Sequence, residues 1–148
     1  MKPPTKVDTD SLISLISRIN RQLSHAMEPG LVLLGLSEQE FRIMGLLIGE
    51  TGISQNELAS KLSVRPATLS SAITRLVGKG FVKQEKDPND QRIRRLQLNP
   101  NYDLGPASLL LDQTETQITM GLTTKDIATT KRVLQHLSTQ LLQMKEQS

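Results

Sequence analysis

The chain has 148 residues, with 18 Lys and Arg against 15 Asp and Glu, for a net charge of +3 at pH 7. It has no cysteine, which excludes disulfides, thiolate metal ligands, cysteine nucleophiles and thiol redox sensing, and only 2% aromatic residues, so its core is built from Leu, Ile, Val, Met and Ala. No apolar run reaches membrane-spanning length and the opening MKPPTKV lacks the apolar stretch of a signal peptide, so a cytoplasmic protein with no membrane partner is expected.

Residues 1–7, with Pro3 and Pro4, read as a loose arm. The first helix is expected over about 9–27. Its Leu12, Ile16, Ile19, Leu23 and Ala26 are spaced 4, 3, 4 and 3 apart, the seam of a helix that packs on other helices. Pro29 and Gly30 are expected to stop it. Ser37-Glu38-Gln39-Glu40 has the form of a capping box, in which the serine oxygen accepts the Glu40 N–H and Glu40 reaches back to the cap. It opens a second helix with Phe41, Met44, Leu47 and Ile48 on its apolar face, ended by Thr51-Gly52. A second box, Ser54-Gln55-Asn56-Glu57, opens a short third helix that buries Leu58, Ala59 and Leu62. The fourth helix starts near Pro66, whose missing N–H has no helical partner in a first turn, and ends at Gly78 or Gly80. Residues 81–86 and 92–98 read as two strands joined by the turn Asp87-Pro88-Asn89-Asp90. After a loop over 100–106, a fifth helix is expected at about 107–120. Gly121 ends it, and Thr123-Thr124-Lys125-Asp126 caps a sixth. There Ile127, Leu134, Leu137, Leu141 and Met144 follow an a/d heptad pattern.

The expected fold is mainly α with one small β-hairpin. It divides into an N-terminal arm and helix over 1–28, a helix–helix–hairpin unit over 31–99 and C-terminal helices over 100–148. Charge is unevenly shared. Residues 53–99 hold nine basic and four acidic side chains, +5, whereas the rest of the chain is −2. A clustered positive segment suits a polyanion, DNA above all.

The fourth helix carries the most specific pattern. Leu69, Ala72, Ile73, Leu76 and Val77 form its core face at about 100° per residue. The opposite face holds Ala67, Ser71, Thr74 and Gly78, flanked by Thr68, Ser70 and Arg75, with no acid anywhere on the helix. An ordinary solvated face mixes Glu with Lys. A short, polar, acid-free face is what a DNA major groove admits, because hydroxyls then reach base edges or phosphates and an arginine can pair with guanine. On the second strand, alternation puts Arg92 and Arg94 on the face of Leu96 and Leu98. The leucines anchor the strand on the core. The arginines extend past it, toward a DNA backbone and the adjacent minor groove, with Asp90 placed to hold Arg92 extended. Gln55, Arg65 and Arg95 complete the candidate DNA-binding set.

These residues carry a family likeness. Asp90-x-Arg92-x-x-x-Leu96-x-Leu98, preceded by Asp87-Pro88, resembles the wing signature DxRxxxLxLT of the MarR family of bacterial transcriptional regulators. GISQNELASKLSVRPATLSSAITRLVGKGFV resembles the family's helix-turn-helix, and LSEQEFRIMGLL the helix that leads into it. The likeness covers about residues 10–145. The chain departs from the pattern in three places: Asn99 stands where Thr is usual, the link NPNYDLG is longer, and Arg65 takes a cap position where Ser or Asp is commoner. The resemblance implies a winged helix-turn-helix that binds double-stranded DNA at a pseudo-palindromic operator. It implies a homodimer whose N- and C-terminal helices interlock, through Leu12, Ile16, Ile19, Leu23, Leu134, Leu137 and Leu141. It further implies repression more often than activation, and release by a small aromatic or anionic effector.

Nothing in the sequence favours an enzyme, a metal or another cofactor. His25 and His136 stand far apart with no motif around either, and Gly78-Lys79-Gly80 is a helix end rather than a phosphate loop. His25, late in the first helix, falls near where an effector pocket is expected. The competing reading is a winged-helix scaffold that binds protein instead of DNA. Acids on the fourth helix or an exposed apolar stripe would mark it, and neither is read there.

Overall fold

The computed structural model describes residues 8–147; the arm read over 1–7 lies outside them. The helices are α1 (Leu12–Leu33), α2 (Glu38–Leu47), α3 (Gln55–Leu62), α4 (Pro66–Gly78), α5 (Gly105–Ile118) and α6 (Thr124–Glu146), with strands β1 (Ile53–Ser54), β2 (Val82–Lys86) and β3 (Arg94–Leu98). The chain separates into two compact units, residues 1–107 and 108–148.

In the first unit α1 runs past the expected stop and holds Pro29 inside it. An interior proline costs a helix about 3 kcal/mol. The helix persists because Met27 and Leu31 are both buried, so packing outweighs the local rule. The true stop is Gly35, at φ +72°. There the Gly35 N–H bonds the Val32 carbonyl and the Leu36 N–H bonds the Leu31 carbonyl, each at 3.0 Å, a Schellman closure that favours glycine.

Ser37 caps α2 and Ser54 caps α3, each accepting the N–H three residues on at 3.1 Å. Of the three expected boxes, only Thr123 and Asp126 on α6 close reciprocally among the described residues. Glu40 instead turns its carboxylate toward α4. The turn between α3 and α4 passes through Ser63 at φ 54°, the one non-glycine with positive φ among the described residues.

The sheet is antiparallel, in the order β1-β3-β2. The short β1 has no periodicity to reveal it in the sequence; it pairs Ile53 with Leu96 and Ser54 with Arg95. In the hairpin Val82 faces Leu98, Gln84 faces Leu96 and Lys86 faces Arg94. The strands are shorter than expected. Phe81 lies outside β2, and Arg92 lies in the turn before β3 because Ile93 N–H bonds the Asp90 carbonyl and closes that turn.

The core of this unit joins Leu31, Leu36, Ile43, Met44, Leu47, Ile53 and Leu58 to Leu69, Ala72, Ile73 and Leu76 of α4 and to Val82 and Leu96. Five expected core residues fall short: Phe41, Leu62 and Leu98 are half-buried, Ile48 is exposed, and Val77 is 39% exposed. The α4 core face is thus narrower than its periodicity suggests. After the hairpin, Asn99 donates its side-chain N–H to the Gly80 carbonyl at 2.8 Å, and Tyr102 stacks at a tilt on Phe81 with ring centroids 4.6 Å apart. The longer link therefore folds back onto the base of the hairpin. α5 starts two residues earlier than expected, at Gly105.

In the second unit, Glu115 of α5 pairs with Lys131 of α6 at 3.0 Å. No residue of α6 is buried. Leu134, Leu141 and Met144 are exposed, and Ile127 and Leu137 are half-buried. In the first unit, Leu12, Ile16 and Ile19 of α1 are exposed in the same way, with Leu23 half-buried.

Candidate nucleic-acid interface

Helix α4 buries one face and shows the other. Leu69, Ala72, Ile73 and Leu76 are at most 1% exposed, which fixes the helix's rotation. Ala67, Thr68, Ser70, Ser71, Thr74 and Arg75 are exposed on the remaining surface. Ser71 donates its hydroxyl to the Ala67 carbonyl at 3.4 Å, and Thr74 donates to Ser70 at 2.9 Å. Each hydroxyl thus spends its proton on the helix and turns lone pairs outward. Arg65 sits at the N-cap without a side-chain cap bond and is exposed.

The hairpin grades from apolar to cationic along one face. Val82 and Leu98 lie at its base, Gln84 and Leu96 in the middle, and Lys86 and Arg94 directly opposite one another at the outer end. Two cations in register repel, and an anion between them relieves that cost. Arg92, in the turn beyond, has a side chain 91% exposed. It meets Asp90 through Nε at 3.2 Å and a terminal nitrogen at 3.4 Å. So exposed a pair adds little stability. It does fix the pose of the arginine.

Four of the sequence-chosen residues converge on one cleft. Gln55, Ser70, Arg92 and Arg94 line a hollow of about 330 Å³ between the start of α3, α4 and the wing. A polar chain crosses beside it, with Arg94 donating to Gln84 at 3.4 Å and Gln84 donating to Gln55 at 3.2 Å.

Arg95 is placed differently. It donates through Nε to Asp87 Oδ2 at 2.7 Å and through a terminal nitrogen to the Gly52 carbonyl at 3.0 Å. Its half-exposed guanidinium is engaged by these protein partners, because strand alternation turns it away from Arg94 and onto the side where the buried Asp87 carboxylate waits. Asp87 also accepts the Asn89 and Asp90 N–H groups. The Arg95 hydrogen bond and those backbone donors hold the Asp87 carboxyl below its ordinary value, against burial.

Sequence reading missed Glu40 as part of this region. Its side chain is 4% exposed and meets Lys79 Nζ at 2.7 Å and Arg75 Nε at 3.6 Å. Burial alone raises its pKa. The Lys79 hydrogen bond and charge, the Ser37 hydrogen bond and the Arg75 charge outweigh that and lower it. The sequence gives no sign of the contact, since Glu40 and Lys79 are 39 residues apart. Among the described residues, no group of three or more His, Asp or Glu side chains could hold a metal ion, and no helix is long and apolar enough to cross a membrane.

This arrangement, a helix pair beside a three-stranded sheet whose hairpin projects as a wing, is a winged helix-turn-helix. Residues 36–93 match the model of the MarR family. The transcriptional repressor YetL of Bacillus subtilis is 32% identical over 90 residues, 58% of this chain and 54% of that protein. The chain thus spans about half the length of the curated relative it matches. The fold is also that of a MarR crystal structure at TM-score 0.86, with 23% identity over 97% of this chain and all of that one. A cysteine-to-serine mutant of Escherichia coli MarR, solved with operator DNA, superposes at TM-score 0.66 with 25% identity, over 85% of this chain and 92% of that one.

Proposed function

We propose that the protein is a sequence-specific transcriptional regulator that binds duplex DNA as a homodimer and represses, with a small effector releasing it. The observation that carries the DNA reading is the cationic end of the hairpin. Lys86 and Arg94 stand in register with Arg92 just beyond them, beside a reading helix that shows no acid. Phosphates relieve the repulsion, and the short side chains of α4 then fit a major groove. Ala67, Thr68, Ser71 and Thr74 face the base edges. Gln55, Ser70, Arg92 and Arg94 take the backbone where it passes through the cleft, and Arg65 adds a cation at the start of α4. Repression is supported by the description of YetL as a repressor.

The homodimer reading rests on the exposed apolar seams of α1 and α6, which a second copy would cover. The effector reading rests on a hollow of about 630 Å³ at α1 and the start of α2. Arg21 and His25 offer it hydrogen-bonding edges beside the Glu28 and Glu38 carboxylates, and Leu31, Val32 and Leu36 an apolar wall, a lining suited to an aromatic molecule.

The test is selection of a preferred duplex from random DNA, followed by titration over a range of salt. Enrichment of an inverted repeat, with binding that weakens steeply as salt rises, is the expected result. No enrichment, with salt-insensitive capture of a protein instead, would favour the scaffold reading.

A further inference from the structure

We propose that Glu40 is a positioning residue for the reading helix: with Lys79 and Arg75 it clamps the C-terminal end of α4, and Arg75 serves this clamp instead of reading a base. The inference rests on the DNA reading above.

Lys79 Nζ donates to Glu40 Oε2 at 2.7 Å and to the Gly35 carbonyl at 2.8 Å. Arg75 Nε lies 3.6 Å from Glu40 Oε1. Arg75 and Lys79 are four residues apart, so they leave the same side of α4. One buried carboxylate thereby ties the last turns of α4 to the first turn of α2, and one ammonium ties them to the turn that ends α1. A buried carboxylate is tolerated only when paired. Here both partners come from the reading helix.

The lever geometry gives the clamp its consequence. Base contacts of a helix-turn-helix come from the N-terminal part of the reading helix. Arg75 lies about 13 Å along the axis from Pro66 at 1.5 Å per residue. A tilt of about 5° at the clamped end moves the reading end by roughly 1 Å, more than a direct hydrogen bond tolerates. Loss of the clamp therefore blurs the whole half-site, whereas loss of a base-reading arginine blurs one base pair.

The experiment uses the full-length protein and the duplex selected above, every single-base-pair variant of it, and a random duplex. Binding is measured below the melting temperature of each protein variant. Glu40→Gln is expected to lose on the order of tenfold in selectivity, spread over the half-site. Its affinity for random duplex should be unchanged or higher, since one negative charge is gone. Arg75→Ala should show the same spread loss, and Lys79→Arg, which keeps the charge and the donor, should retain selectivity. Should Glu40→Gln fail to fold, Glu40→Asp keeps the charge but withdraws it, and the same spread loss is expected. A lower melting temperature with unchanged selectivity would reduce Glu40 to a stabilising contact and overturn the proposal. So would loss of preference at a single base pair in Arg75→Ala. If the unmutated protein selects no duplex, it is the DNA reading that fails, and the clamp loses its role with it.

Discussion

Arg95 and Asp87 meet across the hairpin with Nε 2.7 Å from Oδ2, and the same guanidinium holds the Gly52 carbonyl next to β1. One ion pair thus closes the turn, braces β3 and ties the wing to the strand that leads into α3. The exposed pair of Arg92 and Asp90 has a different task, since it aims a side chain outward.

The braced wing has a pH signature. The Asp87 carboxyl is held below its ordinary value of 3.8, first by Arg95. A lowered folded-state value means the stabilisation is complete above 3.8 and is lost as pH falls through the lower folded value. Asp87→Asn is therefore expected to melt at a lower temperature than the unmutated protein at pH 7, with the gap shrinking as pH drops below 3.8. Thermal melts across that range check it, and a constant gap would mean the pair does not brace the wing.

Helix α4 makes a prediction about base chemistry. Ser71 and Thr74 donate their hydroxyl protons back to the helix and present lone pairs. They suit donors in the major groove, the amino groups of cytosine and adenine. Thr74→Val or Ser71→Ala is expected to lower discrimination by roughly 1–3 kcal/mol per lost base contact and leave random-duplex affinity unchanged. Competition binding on both duplexes measures it; equal losses on both would place these hydroxyls on phosphates.

Much of this was legible in the sequence. Leu69, Ala72, Ile73 and Leu76 announced a helix face by period alone, and Ser37, Ser54 and Thr123 announced three helix starts. What escaped depended on partners distant in the chain. Pro29 obeys its local rule only until Met27 and Leu31 find a core. Alternation showed that Arg95 leaves the opposite side from Arg94, but not that a buried carboxylate waits there. Glu40 was read as half of a cap, and only the packing of α2 against α4 shows its second use.

The apolar seams predict assembly. Leu134 and Leu141 of α6 are exposed, as are Leu12, Ile16 and Ile19 of α1, each too apolar a row to stay in water. The protein is expected to sediment as a dimer at micromolar concentration, and Leu137→Asp with Leu141→Asp to give monomeric or insoluble material. A folded, soluble monomer of the unmutated chain would contradict this.

Chelator and peroxide are expected to leave DNA affinity unchanged, since the chain has no cysteine and its described residues no metal cluster. A tenfold change after chelation, read by fluorescence anisotropy, would show that His25 or His136 binds a metal.

The most direct test of the wing's role is the salt dependence of duplex binding for the unmutated protein and for Arg92→Ala, each on preferred and random DNA. Backbone contacts carry little sequence information. Arg92→Ala should therefore weaken both duplexes together and flatten the slope of log affinity against log salt by about 0.9 per lost phosphate contact in each half-site. Binding that ignores salt, or an Arg92→Ala variant that loses selectivity while its random-duplex affinity and slope stay unchanged, would contradict the docking of the wing on the DNA backbone.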